Sequence, residues 1–315
     1  MLKLSGDDRP IVIASLFVLV ILGLGSAYTL TTQGNLAFLN PGYLLQQLQV
    51  GAFLGIVAAG MMVVILLGHI DLSVPWTLAA AAMMATAVGG PMAIPVGIGI
   101  GLAVGIFNGI GVAYLRVPSM IFTLGVNAML RGLMVMHTGG FAPQTHATDL
   151  MTFLATGHLL GIPMALLAWG LLSVAMVFLL RRTVFGRYVY AIGNREAAAY
   201  LSGVPTRTVL VAAFALCGVC AGLSGVLLAG YSTKAYQGMG DAYLLPSIAA
   251  VVIGGTHILG GKGRYAGTVV GTILITLLSS VLSVMQMPEA GRQIIYGLVI
   301  IVMLLAYGRS RPAGA

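Results

Sequence analysis

Charge is what this 315-residue chain lacks most. Seven acids and fifteen Lys or Arg together make 7% of its residues, where a soluble globular domain carries about 25%. A water-facing surface cannot be built from so few charges, and a soluble fold is excluded. Acids are the rarest group. Only Asp71 touches an apolar block, whereas Asp7, Asp8, Asp149, Glu196, Asp241 and Glu289 lie in connecting stretches. Ion-coupled carriers place acids or a cation site within the membrane, so a proton-driven mechanism would have Asp71 alone to work with.

Catalytic machinery is missing too. No G-x-x-x-x-G-K-S/T pattern occurs. The nearest glycine-rich stretch, 260–264, lacks the upstream Gly and the following Ser or Thr. The chain therefore does not hydrolyse ATP by itself. The five histidines, His69, His137, His146, His158 and His257, show neither H-x-x-x-H nor H-E-x-x-H spacing, so no metal site is expected. No nucleophile is paired with a base, and the chain is not expected to be an enzyme. Its only cysteines, Cys217 and Cys220, sit in an apolar stretch beside Gly218, Gly222 and Gly225. A redox C-x-x-C pair needs an exposed helix N-terminus to stabilise its thiolate. These cysteines are therefore read as small residues for helix contact.

Apolar residues, by contrast, make 59% of the chain. They come in blocks of about twenty, the length a helix needs to cross the hydrocarbon core at ~1.5 Å per residue. The blocks predict spans at 11–30, 45–67, 76–88, 94–114, 120–136, 162–180, 208–229, 246–259, 266–284 and 294–307. The chain is thus an all-α, polytopic membrane protein of about ten transmembrane helices. The first block is long and lacks a small-residue cleavage site, so it is read as an uncleaved helix rather than a signal peptide. The third and eighth spans are short. Neighbouring Gly and Pro predict broken or partly re-entrant helices there, tolerated where protein or a water-filled cavity covers the backbone. The remaining residues are too thinly spread for a separate soluble domain, leaving 1–315 as one membrane domain.

A cytoplasmic N-terminus puts twelve of the fifteen basic residues on the inner side: Lys3, Arg9, Arg116, Arg181, Arg182, Arg187, Arg195, Arg207, Lys262, Arg264, Arg309 and Arg311. Lys234 and Arg292 fall outside, and Arg131 falls within a span. This is the positive-inside pattern. It places both termini in the cytoplasm and explains the net charge of +8 without nucleic acid. Two connections stand out. The inner stretch 181–207 predicts a short helix over 195–201, capped by Asn194 and ended by Gly203. It suits either docking to a soluble partner or lying on the lipid surface. The outer stretch 139–161 carries Gln144, His146, Asp149 and His158, and either faces an external partner or merely connects.

Four motifs carry a resemblance. Gly68-His69-Ile70-Asp71-Leu72-Ser73-Val74 is similar to G-G-I-D-L-S-V-G. Here Asp71 and Ser73 are expected to cap a helix starting at Pro75 or Trp76. The second runs from Gly105 through Asn108-Gly109 and Val117-Pro118-Ser119 to Thr123-Leu124-Gly125 and Arg131-Gly132-Leu133, similar to N-G, V-P-S-F-I-x-T-L-G and R-G-L. Gly105 and Gly109 permit close helix approach, while Asn108, Thr123 and Asn127 either face a polar pathway or bond between helices. The third, from Thr183-Val184-Phe185-Gly186-Arg187 through Gly193-Asn194 and Ala197-Ala198 to Ser202-Gly203, is similar to T-x-F-G-R-x-V-Y-A-I-G-G-N-x-x-A-A-x-L-S-G-I. The fourth, from Ile248 through Gly254-Gly255-Thr256 to Gly260-Gly261-Lys262-Gly263, resembles I-A-A-V-V-I-G-G-T-S-L-x-G-G-x-G.

Together these resemble permease subunits of bacterial ABC importers, in the ribose, xylose, arabinose and autoinducer-2 group within the branched-chain amino acid permease cluster. The resemblance implies ten helices around a pathway between two permease subunits in the bacterial inner membrane, surrounded by lipid. It implies cytoplasmic subunits that bind ATP and Mg, so that this chain holds no cofactor, and an external solute-binding protein. The implied cargo is a monosaccharide or related polyol, with autoinducer-2, a nucleoside or an amino acid as alternatives. Residues 183–207 become the coupling segment, through Phe185, Gly186, Arg187, Asn194, Arg195, Glu196, Ala197, Ala198, Leu201, Ser202 and Gly203. Asn108, Phe122, Thr123 and Asn127 are the expected pathway residues, and Asp71, Ser73, Gly254 and Gly255 the structural or gating ones. His69, Pro75 and His257 depart from the pattern, which leaves open whether the second permease is an identical copy or a paralogue.

Overall fold

A computed structural model describes residues 9–141 and 143–308; Lys3, Arg309 and Arg311 of the charge argument lie outside them. The described chain forms thirteen helices: α1 Arg9–Gln33, α2 Pro41–Leu66, α3 Val74–Val88, α4 Ala93–Ala113, α5 Ser119–Thr138, α6 Asp149–Thr156, α7 Met164–Arg182, α8 Val184–Asn194, α9 Glu196–Leu201, α10 Thr206–Ser232, α11 Leu244–Ile253, α12 Tyr265–Val284 and α13 Glu289–Gly308. Among the described residues the only sheet is the two-residue hairpin β1 His158–Leu159 and β2 Ile162–Pro163. Seven helices (α1, α2, α4, α5, α7, α10 and α12) are long and apolar enough to cross a bilayer, while α3 and α11 are apolar but short. Each of the ten predicted spans falls on a helix.

Apolarity all round a helix is a signature of burial at the centre. In α2 every residue from Gly51 to Leu66 is buried. It forms the axis of the bundle, flanked by α10, α12 and α7. The tightest contact is the seam of α4 and α10. On α4, Gly97, Gly101, Gly105 and Gly109 recur every fourth residue, and α10 answers with Gly218 and Gly222. A Cβ at Gly101 would overlap the Gly218 backbone, and one at Gly105 would overlap Phe214. The close approach expected of Gly105 and Gly109 is present, over twice their length. Cys217 and Cys220 are buried and unbridged mid-helix, packed on Gly60, as helix-contact residues should be.

Two substitutions on α4 separate this packing from mere composition. Gly101→Leu is expected to abolish the monodisperse protein in size-exclusion chromatography, because backbone occupies the space on its open side. Gly99→Leu, with nothing within 4 Å of its Cβ position, should elute as wild type.

Several boundaries need correction. The span expected from residue 162 starts only at Met164, because Ile162 and Pro163 belong to the hairpin. The span expected to reach 259 ends at Ile253, where Gly254 and the left-handed Gly255 turn the chain (φ +89°). Helices α6 and α8 were not expected. In α8, Thr183 accepts the Gly186 N–H at 3.2 Å as an N-cap, and Gly186, Val189 and Ile192 bury one face at three-residue spacing. Asn194 is therefore the last residue of α8, not a cap. The cap position of α9 is Arg195, whose side chain makes no capping bond. Gly203 does end α9: at φ +82° it donates to Tyr200 O, and Val204 donates to Ala199 O, both at 3.0 Å.

Candidate functional site: a braced helix break and the segment beneath it

At Leu66 the axial helix α2 stops and the chain runs unwound to Val74. Gly68 adopts φ +80°; its N–H bonds Ile65 O at 2.8 Å and the His69 N–H reaches back to Val64 O at 3.1 Å. That pair of bonds is a Schellman cap, which needs a left-handed residue at this point. The unwound backbone then exposes N–H groups inside a bundle without bulk water, and each must find an acceptor.

One face of α5 supplies most of them. Ser119, Thr123 and Asn127 stand four residues apart, about 6 Å of helix rise. The Ile70 N–H points to Ser119 Oγ (3.5 Å), the Leu72 N–H donates to Thr123 Oγ1 (2.9 Å) and the Trp76 N–H to Asn127 Oδ1 (3.3 Å). Two residues of extended chain advance about 6.6 Å, so the two repeats run in register from Ile70 to Leu72. The stripe continues to Arg131, whose guanidinium lies 5.9 Å from the Trp76 ring. At its other end Ser119 Oγ is 3.2 Å from His69 Nδ1.

Asp71 is fully enclosed, at 1% exposure. Its Oδ1 accepts the Ser73 N–H (2.9 Å) and the Ser73 hydroxyl (2.6 Å), while Asn108 Nδ2 lies 3.3 Å from both carboxylate oxygens. Asn108 also donates to Ser73 Oγ at 2.7 Å. No cation pairs with Asp71 among the described residues. The expected capping of α3 is corrected: the helix begins at Val74, and Ser73 occupies the cap position without a capping bond. Asp71 instead closes the turn ahead of it. The amide oxygen of Asn108 is buried without a partner among the described residues.

This network joins Asp71 and Ser73 to three of the expected pathway residues, Asn108, Thr123 and Asn127. Phe122 lies apart, with its ring over Gly111 and 5.5 Å from that of Phe107. Gly254 and Gly255 are also elsewhere; Gly254 permits α11 to cross α12 at Gly267. Ser119 and Arg131 were not singled out as partners of Thr123 and Asn127, although the four-residue spacing was there to be read.

Residues 183–207, the expected coupling segment, sit directly under the break. A Cβ on Gly193 would strike Leu66 O and the Gly261 backbone, and Gly260 packs against Gly68 and Gly193. The Gly261 N–H donates to Leu66 O at 2.9 Å. Tyr190 donates its phenol to Gly263 O at 2.8 Å; burial raises its pKa, with Arg181 and Arg264 pulling the other way, so the donor form prevails at neutral pH. Thus the ends of α2 and α8 and the 257–263 turn meet backbone to backbone. Phe185 and Gly186 face inward on α8, and Arg187 faces out. On α9, Arg195, Ala197 and Ala198 are exposed, with Tyr200 at 65% and Leu201 at 86%. Ser202 bonds back to Ala198 O at 2.9 Å, and Glu196 pairs with Arg116 at 2.8 Å. That pair is exposed on both sides and contributes at most ~1 kcal/mol. Neutralising it with Arg116→Ala should move the melting temperature by less than about 2 °C.

An all-α, multi-pass membrane protein with a braced central break is the class this geometry defines. The chain belongs to the family described as branched-chain amino acid transport system / permease component, whose profile matches residues 43–304. It is similar to the ribose import permease protein RbsC of Haemophilus influenzae, 36% identical over 271 residues covering 84% of this chain and 83% of that one. RbsC of Bacillus subtilis is 36% identical over 277 residues, 86% of each chain. The autoinducer 2 import system permease protein LsrC of Yersinia pseudotuberculosis is 38% identical over 208 residues, 66% of this chain and 59% of the relative. No solved structure matches.

Proposed function

We propose that this chain is the translocating subunit of an ATP-driven, binding-protein-dependent importer of the bacterial inner membrane, carrying a monosaccharide or related polyol. One observation carries the proposal: α9 offers Leu201 and Tyr200 to the outside while α8, joined to it, rests on the end of the axial helix. A cytoplasmic ATPase that grips α9 therefore has a backbone path to the break. Arg116, Arg181, Arg182, Arg187, Arg195, Arg207, Lys262 and Arg264 flank this end of the bundle, whereas Lys234 and Arg292 lie towards the other; that distribution supports a cytoplasmic coupling face. ATP and Mg belong to the partner. A second permease, identical or paralogous, completes the pathway. The solute-binding protein docks on the opposite end, where α6 and the hairpin lie. For Asn108, Thr123 and Asn127 the geometry supports bracing of the break over direct contact with cargo.

The likeness to ribose import permeases supports a pentose, and the LsrC likeness supports autoinducer-2 as the second cargo reading. A mild-detergent pull-down of the chain from its native membrane, with mass spectrometry of everything that co-purifies, tests the machinery. An ATP-binding subunit and a solute-binding protein are the expected companions, and reproducible isolation of this chain alone would remove the proposal. Leu201→Asp should strip the ATPase from the complex while leaving the melting temperature unchanged, because the side chain it replaces touches little of the bundle.

A further inference from the structure

At the end of the bundle away from α8 and α9, a cavity of about 290 Å³ opens between α2, α12 and α13. It lies at the lower end of the ligand-pocket range, ~300–1,000 Å³. One wall is a hydroxyl face of α12, with Thr276, Ser280 and Ser283 at spacings of four and three, which a helix places on one side. Gln47 of α2 and the Glu289–Arg292 pair of α13, 3.0 Å apart, line it elsewhere.

Hydroxyls in apolar helices ordinarily bond the carbonyl four residues back, and Thr272 does so with Thr268 O at 2.9 Å. Thr276 does not. It is 8% exposed and its Oγ1 has no partner among the described residues, nor does the buried Nε of Arg292. Both atoms are enclosed in the cavity wall, and leaving them unmet is costly unless a visiting group shifts the wall and meets them. The lining combines hydroxyls, an amide, a carboxylate and a guanidinium with no net charge. Adjacent hydroxyls of a polyol can accept from the guanidinium and donate to the carboxylate together, whereas an anion would meet Glu289.

We propose that this cavity is a way-station for an uncharged polyhydroxylated solute, entered from the end opposite the coupling segment. The assignment rests on the importer reading. Contacts that are few and dispersed, on a lining without net charge, hold cargo weakly enough for it to leave.

The test uses the whole complex, with its ATPase and binding protein, in proteoliposomes, and reads ATP-driven uptake of radiolabelled ribose. Ser283→Trp fills the mouth of the cavity and should slow uptake at least about tenfold, with ATPase co-purification and melting temperature retained. Thr276→Val replaces an unpartnered hydroxyl by a methyl of like shape. It should slow uptake about threefold while leaving the melting temperature unchanged or raised, since replacing an unmet hydroxyl by a methyl removes its burial cost. Wild-type uptake in both variants overturns the way-station and leaves the importer reading standing. Loss of a bound lipid in native mass spectrometry, parallel to loss of uptake, overturns it in favour of a lipid site. Absence of ATP-driven uptake by the wild-type complex overturns the importer reading and the way-station with it.

Discussion

Asp71→Asn is expected to import cargo at close to the wild-type rate, and Asp71→Ala to yield little folded protein. The alanine leaves the Ser73 N–H without its acceptor and takes the shortest bond from the Ser73 hydroxyl, which keeps only Thr77 Oγ1 at 3.3 Å, while the Asn108 amide keeps only Ser73 Oγ. A buried orphan costs about 1–3 kcal/mol, and the void left by the carboxylate adds to it, which together are a large share of the ~5–15 kcal/mol that holds a typical domain together. The asparagine keeps an acceptor for both Ser73 donors. Its new amide N–H can bond the Asn108 oxygen, which is buried without a partner in the native protein, once that side chain turns. A stand-alone proton-driven carrier demands the opposite, because its acid must titrate. Uptake by Asp71→Asn complexes, measured with ATP and an uncoupler, decides between them. A folded but inactive variant would make Asp71 a proton carrier.

Gly193→Ala should uncouple ATP hydrolysis from transport, lowering uptake at least about tenfold, ~1.4 kcal/mol or more, while the ATPase still co-purifies. The single added carbon would meet Leu66 O, Gly261 N at 2.6 Å and Gly261 Cα at 3.1 Å. All three are backbone, which cannot rotate aside as a side chain can, so α8 must lift off the end of α2. The exposed face of α9, proposed to dock the ATPase, is untouched. Gly132→Ala, with nothing within 4 Å of its Cβ position, serves as the control and should transport normally. Unimpaired uptake by Gly193→Ala would mean that α8 moves independently of the break.

The membrane helices were legible because length and apolarity alone specify them. Gly105 and Gly109 marked a close approach on α4, but neither the partner α10 nor the extension to Gly97 and Gly101 was legible. The brace was only half legible. Thr123 and Asn127 were visible as polar residues in apolar surroundings, but their partners are backbone groups of Leu72 and Trp76, each 51 residues away in sequence. No periodicity links such a pair. Asn194 misled because its residue type favours caps, whereas the helix bounded by Thr183 runs through it. Helix α8 was missed although its buried positions repeat every third residue, because the segment was read as a motif. The cavity had no signature at all: Thr276 looks like any threonine of an apolar helix until its hydroxyl is found without a partner among the described residues.

The glycine seam has a mechanical meaning. Interfaces of branched side chains mesh like gears, and sliding one helix along another then means climbing out of each hole. Along Gly101–Gly105–Gly109 and Gly218–Gly222 such teeth are missing. From Gly101 to Gly109 the facing atoms are backbone of α10, whereas Gly97 meets the Val226 side chain. Helix α10 starts three residues after Gly203, directly downstream of α9. A pull on residues 183–207 would thus act on a rod in a close seat, opposed more by sideways crowding than by interlocking side chains.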